Sequence, residues 1–512
     1  MVKSTLAFPG GLRIKKITNY SATNIFANAT RYYYLKDFNP ITKTGKPSGI
    51  LAFTPKYYWE TNLQDNQPAS SCSSYYLKIL TSGSTSQAYY NLDGSAYVGY
   101  WEVVECKEDV NGNSEGYVKN KYTNFGAGYF DDPPLDTFQS DKATSGVFMS
   151  PHTPFSSNSK KRGKLFEKDI YDKYNILKEE YSYKYITTNN KSIRNINMFI
   201  MPNEYGKHVN FGTSCYPLGG SYLTNIYNYL LSEKTEMKIE NSGNILTISD
   251  YTYNTENKVV NEKTILNNND NFELKTTYTG DLFRNNINYM ESSVYKDMES
   301  KYMYAFPIEK VKIRNGKVIS SQIGNYKQST FGGKKVYFLS DQYNLETNAS
   351  VSNYQYAMIQ GDTIGIDSRC KRYIRYSTYN QNVLPNFIET NSTNTVYLWS
   401  YRNKYPIAEI KNATYQQIQN ELGESYISDL VVNPDPNSFD LAKINSLRVS
   451  TTLPGIVVTT FTFRPYIGML SKTDPRGVTT FYKYDDFGRL KTVFDNNMQA
   501  IQNYDYHLVT SN

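Results

Sequence analysis

Histidine, cysteine and tryptophan are scarce, with 3, 4 and 3 residues in a chain of 512. The histidines, His152, His208 and His507, each stand alone in sequence. A His-based triad or metal site would have to draw one of them to distant partners, and no GxSxG, HExxH or Walker-type loop is present. Surface or strand histidines are therefore expected. The cysteines, Cys72, Cys106, Cys215 and Cys370, form no CxxC pair. A structural zinc site, which needs close ligand pairs, is not expected. Their spacing leaves two disulfides open in an oxidising compartment and favours scattered free thiols. The chain is accordingly expected to lack catalytic residues, cofactor and metal. The histidine shortage weighs only weakly against a buried-site enzyme, because carboxylates alone can run glycoside hydrolysis.

Long apolar runs are missing too. No segment approaches the ~20 apolar residues that span a bilayer. Residues 1–11 lack the apolar stretch of a signal peptide, so neither a membrane span nor an export address is expected in the chain as it stands. Charge of one sign is not concentrated either. Lys and Arg total 55 against 48 Asp and Glu, a net +7, with one short basic run at Lys160-Lys161-Arg162. A nucleic-acid binder would gather such charge on one face. The net charge reads as a solubility feature, and no nucleic-acid partner is expected.

Tyrosine, by contrast, is abundant: 50 residues, in a chain that is 15% aromatic but only 39% hydrophobic. Tyr buries its ring and keeps its hydroxyl hydrated, so this combination suits broad sheets with wet faces better than a Leu-rich enzyme core. The length allows two to four domains. Alternating apolar and polar residues at 11–20, 31–35, 96–106 and 115–122 predict strands, and Asn111-Gly112 between the last two signals a hairpin. The polar 131–161 section predicts a boundary or long loop. Turn clusters followed by strands ending in Tyr-x-Tyr recur at 164–183 and 240–254, and Asn315-Gly316 marks another hairpin. Thr414 with Ile418, Leu422 and Gly423 predicts a capped helix. Phe439, Leu441, Ile444 and Leu447 predict a second behind Pro434 and Pro436. The chain divides into an N-terminal β region (1–155), degenerate β repeats (156–400), a mixed segment with short helices (401–455) and a C-terminal repeat (456–512).

That last repeat carries the clearest pattern. Tyr482 and Tyr484 recur 22 residues later as Tyr504 and Tyr506, and the runs Asp485-Asp486-Phe487-Gly488 and Asp495-Asn496-Asn497 between them are turn-formers. Gly477, Tyr482, Tyr484, Asp485, Gly488, Arg489, Leu490 and Asp495, read as G-x(4)-Y-x-Y-D-x(2)-G-R-L and its sequel, closely resemble the bacterial RHS/YD repeat. The resemblance covers roughly 35 residues well. It implies long strands winding into an extended, coiled antiparallel sheet or hollow shell on exported or surface proteins, in some members enclosing a toxic C-terminal domain. It also implies extracellular or cell-surface localisation, and partners among other parts of a longer polypeptide or cell-surface proteins. The expected fold is all-β, an RHS-shell-like sheet with one or two short helices near 414–447. Arg489 is expected to bridge neighbouring turns or strands, Gly488 to supply a positive-φ position, and Tyr482, Tyr484, Tyr504 and Tyr506 to stack across strands.

The same residues admit other readings. The amide- and acid-rich turns at Asp131-Asp132, 267–271 and 495–497 carry oxygen ligands without EF-hand spacing, so turn formation is preferred to calcium binding. Trp59, Trp101 and Trp399 are candidates for stacking on a glycan, although aromatic pairing within sheets, at about 0.2–1 kcal/mol per pair, is the preferred role. Asp474-Pro475-Arg476-Gly477 is similar to the Asp-Pro element at which some RHS shells are autocleaved; a turn is preferred, since a complete repeat follows it. The function expected is a non-catalytic exported or cell-surface β-scaffold, with a glycan-binding adhesin or part of a toxin-enclosing shell as alternatives.

Overall fold

The computed structural model describes residues 13–22, 25–51, 58–64, 76–82, 98–125, 129–133, 136–138, 155–201, 216–267, 270–285, 294–360, 363–380 and 382–506. It is all-β in character, with antiparallel pairing throughout the described strands and few, short helices. Two compact units are present: residues 1–257 with 262–270, and residues 258–261 with 271–512.

In the first unit, strands pair largely in chain order. Lys16–Ala22 pairs with Ile25–Tyr33, which pairs with Glu102–Glu108. Ser114–Tyr122, Leu165–Tyr171, Leu177–Met201, Tyr216–Glu240 and Gly243–Tyr253 follow. The Leu177–Met201 and Tyr216–Glu240 strands each run 25 residues, which at ~3.3 Å per residue is roughly 80 Å of ribbon. A ribbon that long outruns any core. Most of its described side chains are half-buried or exposed, Ile193 and Ile196 among the exposed ones, with Ser221 and Tyr227 buried. The small apolar core of this unit, Phe38, Val104, Cys106 and Tyr117, lies instead where the Leu35–Asn39 hairpin strand meets the shorter strands.

The second unit continues the same grammar with shorter strands. Asn271–Tyr278 pairs with Pro307–Arg314, then Lys317–Phe331, Lys334–Leu345 and Cys370–Tyr379. Pro385–Thr390, Asn394–Ser400, Tyr405–Lys411 and Val457–Arg464 come next. Gly468–Thr473, Thr479–Tyr484, Leu490–Phe494 and Ala500–Asn503 complete the series. Val396, Leu398, Ala408 and Ile410 share one sheet face and are sealed by helices that contribute Ile418, Leu422, Ile427, Leu430 and Ile444. Burying an aliphatic side chain of this kind stabilises by about 1.5–3 kcal/mol, so this patch is the best-anchored part of the unit.

The helix expected at 414–423 is observed as Tyr415–Leu422. Thr414 and Gln417 form a reciprocal capping box, and Gly423 ends it at φ 90°. The second is Ser438–Asn445, capped by Asn437. Between them lies a third, Glu424–Val432, which the sequence pattern did not announce. Its β-branched Ile and Val residues favour strand locally, but Ile427 and Leu430 bury against the sheet and override that preference. Helices Thr279–Asn285 and Val294–Ser300 were likewise not anticipated.

Candidate functional site: the repeat turns and their tyrosine latches

One turn recurs along the chain, beginning at Asp109, Asp172, Asn380, Asp474, Asp485 and Asp495. In each, the N–H of the first residue donates to the carbonyl of the fifth at 2.8–3.0 Å, and the N–H of the fourth donates to the carbonyl of the first at 2.9–3.1 Å. The first residue's Oδ1 accepts from the N–H groups of the third and fifth at 2.7–3.0 Å. The fourth residue has positive φ: Gly112 79°, Asn175 65°, Val383 62°, Gly477 84°, Gly488 75° and Met498 61°. Asp and Asn carry a side-chain acceptor at the right reach for their own backbone two and four residues on, more strongly than Ser or Thr, which is why these residues head the turn.

This geometry refines the reading of the two Asn-Gly pairs. At Asn315-Gly316 both residues have positive φ, 49° and 77°, as a two-residue type I′ hairpin requires. At Asn111-Gly112 only Gly112 does. That hairpin is closed by the longer turn headed by Asp109.

A second recurrence involves tyrosine hydroxyls. At several points along the sheets, Tyr donates its O–H to a main-chain carbonyl of an earlier strand. Tyr185 reaches Leu165 O at 2.7 Å, Tyr253 reaches Leu231 O at 2.6 Å and Tyr326 reaches Pro307 O at 3.2 Å. Tyr484 reaches Met469 O at 3.0 Å and Tyr506 reaches Leu490 O at 2.8 Å. Tyr379 makes the same bond to Leu339 O. A phenol that satisfies a carbonyl in this way keeps its ring against the sheet and adds a side-chain bond between strands.

Within the C-terminal repeat, the structure brings the highlighted residues together around these two devices. Gly477 and Gly488 occupy the positive-φ position of their turns, and Asp485 and Asp495 head theirs. Tyr482 and Tyr484 lie in Thr479–Tyr484, with Tyr484 opposite Leu490. Arg489 Nε donates to Asp485 Oδ2 at 2.8 Å, and its guanidinium covers the Tyr506 ring at 4.2 Å and the Phe487 ring at 5.3 Å. It thereby ties the Asp485 turn to the residues that follow the Ala500–Asn503 strand. Hydrogen bonds, first from the Arg489 N–H and then from its guanidinium, hold the Asp485 carboxyl below its usual range. Tyr504 O–H donates to Gln502 Oε1 at 3.0 Å. Among the described residues, no ring–ring pair joins Tyr482, Tyr484, Tyr504 and Tyr506. The expected cross-strand stacking appears elsewhere, as at Tyr117–Tyr171, whose centroids lie 4.6 Å apart at 11°.

Trp101 belongs to the first unit and Trp399 to the second. Trp101 is half-buried with its ring 5.1 Å from Phe166. Trp399 donates Nε1–H to Pro385 O at 3.2 Å. Trp59 falls in the Tyr58–Gln64 strand, and its side chain lies outside the described residues. His152, His208, His507, Cys72 and Cys215 also lie outside them. Cys106 and Cys370 are buried free thiols, and burial pushes both upward. The basic run is built into the first unit: Lys160 donates to Tyr227 O at 3.0 Å, and Arg162 pairs with Asp131 at 2.6 Å. Among the described residues, no group of three or more His, Cys, Asp or Glu is placed to hold a metal ion.

Sequence reasoning missed one cluster altogether. Glu309, 1% exposed, accepts from Tyr354 O–H at 2.6 Å, the Ala357 N–H at 2.9 Å and Ser321 Oγ at 3.4 Å. Tyr354 also lies 2.7 Å from Ser321 Oγ and 3.7 Å from Cys370 Sγ. Burial pushes the Glu309 carboxyl above its usual range, against the pull of its donors. Its only sequence signal is that Glu309 occupies the inward parity of an alternating strand, where an apolar residue would ordinarily stand. The donors bind the 351–357 stretch onto the sheet, which Val351 joins through a two-way bridge to Val318.

No family model matches the chain, and no curated protein matches it by sequence. Among solved structures, TcdB2-TccC3 without its hypervariable C-terminal region is similar over 91% of this chain and 21% of that chain, at 8% identity and a TM-score of 0.37. A second TcdB2-TccC3 structure aligns over 91% of this chain and 22% of that chain, at 9% identity and a TM-score of 0.36. The Photorhabdus luminescens Tc holotoxin pore, with a substituted TccC3, aligns over 80% of this chain and 20% of that chain, at 9% identity and a TM-score of 0.25. The chain thus spans about a fifth of the length of the solved chains with which it aligns.

Proposed function

We propose that this chain is a non-catalytic β-scaffold of the RHS/YD-repeat type, exported or displayed at the cell surface, whose sheets support other parts of a longer polypeptide. The observation that carries this reading is the recurrence of one hydrogen-bonded turn from Asp109 to Asp495, coupled to the tyrosine latch. A chain that spends its acids, amides and phenols on repeated backbone bonds is invested in extending a sheet rather than in building one reactive centre. The buried Glu309 cluster fits the same reading, because its carboxylate is saturated by groups that fasten a loop to the sheet.

The test uses the native gene product with an epitope tag in the exposed Asp495–Gln499 turn. Cells producing it are fractionated and surface-labelled, and the extracellular fraction is treated with protease. The scaffold reading expects the tag outside the cytoplasm, together with a second polypeptide segment that is protected only while the tagged part stays folded. A tag confined to the cytosol, or no protected segment, overturns it. A protected segment that is itself toxic when released would make the scaffold a shell.

A further inference from the structure

A cavity of about 240 Å³ opens in the second unit, between the Cys370–Tyr379 and Pro385–Thr390 strands and the turn that follows them. Arg372, Tyr373, Phe387, Glu389, Asn391 and Asn394 are among its lining residues. We propose that it is a binding site for a single neutral sugar ring.

Size gives the first argument. Pockets for drug-sized ligands run to about 300–1,000 Å³, so this one suits a ligand of one ring. Charge gives the second. The lining has one guanidinium and one carboxylate, whose charges cancel, so neither a simple anion nor a simple cation is favoured. Arg372 is 3.7 Å from Asp341, beyond hydrogen-bond reach, while Arg375 takes that carboxylate at 2.9 Å. Arg372 thus keeps an ion pair with Asp341 but makes no hydrogen bond to it. Glu389 Oε1 receives Ser377 Oγ at 2.6 Å, which leaves Oε2 as an acceptor on a carboxylate already held in place. Asn391 and Asn394 add amides that both donate and accept.

Vicinal hydroxyls also donate and accept, and they match a set of guanidinium, carboxylate and two amides better than an ion does. Preorganisation gives the third argument. Tyr373 O–H donates to Gln342 Oε1 at 2.5 Å and accepts from Gln322 Nε2 at 3.2 Å, so its ring is fixed before a ligand arrives. This site is independent of the scaffold role, since a scaffold without a sugar site remains a scaffold.

The test is NMR on the full chain, titrated separately with glucose, galactose, mannose, N-acetylglucosamine and inorganic phosphate. At least one sugar is expected to bind with a dissociation constant on the order of 1 mM, as the ligand's small size dictates. The side-chain amide signals of Asn391 and Asn394 are expected to shift. Glu389→Gln and Asn391→Ala are each expected to weaken binding about tenfold or more, the loss of one charge-assisted or neutral hydrogen bond pair, while Lys483→Ala leaves it unchanged. Circular dichroism checks that each variant folds, and the amide shifts in the unaltered protein decide the matter if one does not. Binding of phosphate alone, no response to any of the four sugars, or shifts that bypass Asn391 and Asn394 would overturn the proposal.

Discussion

The C-terminal hairpins and the 307–370 region both hang on carboxylates, under opposite electrostatic conditions. Asp485 sits at the surface and accepts backbone N–H groups of its own turn, which favours its ionised form. Glu309 is removed from water and accepts donors up to 48 residues away, yet burial still favours its neutral form. The first arrangement is local, repeatable and cheap to lose. The second fastens a long-range contact and leaves the buried Ala357 N–H without its partner when it is removed. A repeat can therefore be copied along a chain only with the first kind of carboxylate.

The largest expected effect comes from Glu309→Ala. It strands the Ala357 N–H in a buried site, leaves the Tyr354 hydroxyl only its Ser321 partner and opens a cavity, and is expected to cost about 2–4 kcal/mol, measured by denaturant unfolding. A loss under 1 kcal/mol would show that water enters and rescues the donors, and would erase the contrast with Asp485.

Next come the positive-φ positions. Gly488→Ala is expected to cost about 1–2 kcal/mol, because the new methyl meets positive φ and lies 3.2 Å from Ile467 Cδ1. Met498→Gly, at the matching position of the next turn, is expected to stabilise by up to about 1 kcal/mol by relieving the same strain. Thermal melts of the two variants should shift in opposite directions; shifts of the same sign would mean that the two turns are not equivalent.

Asp485→Ala removes one turn acceptor and is expected to destabilise less than Gly488→Ala, with hydrogen exchange rising at Phe487 and Arg489. Arg489→Ala is smaller still, about 0.2–1 kcal/mol, as for other half-exposed ion pairs.

The pH dependence sharpens the same contrast. The carboxyls of Asp485 and of Asp172, the latter held chiefly by the Ile176 N–H, lie below the usual range. Their contribution is present above the unfolded value of about 4 and is lost as pH falls through the depressed folded value. Glu309 lies above it. Its contribution is present below about 4 and is lost as pH rises through the raised folded value. Protection factors at Phe487 and at Ala357 should therefore move in opposite directions between acid and neutral pH; parallel movement would show that one electrostatic rule governs both.

Much of the architecture was legible in the residues. Alternation and Tyr-x-Tyr endings announced strands, Asp-x-x-Gly announced turns, and Thr414 with Gly423 marked both ends of a helix. These signals are local, because a turn or cap is satisfied by residues within five positions of one another. The Asn380 turn was harder to see, since Val383 holds a positive φ of 62° that its side chain disfavours. The tyrosine latch was half visible: the periodicity marked the residues, but their acceptors lie on the neighbouring strand.

By itself, the sequence determined that the chain forms antiparallel strands closed by Asp- and Asn-headed turns, because those bonds need no distant partner. Only the tertiary structure decided that Glu309 would be buried under Tyr354, that the Glu424–Val432 segment would be helical, and that Arg372, Glu389 and Asn391 would line one cavity. Each of these depends on which surfaces meet across the sheet. Burial and long-range hydrogen bonding override local preference there, and no short window of residues records them.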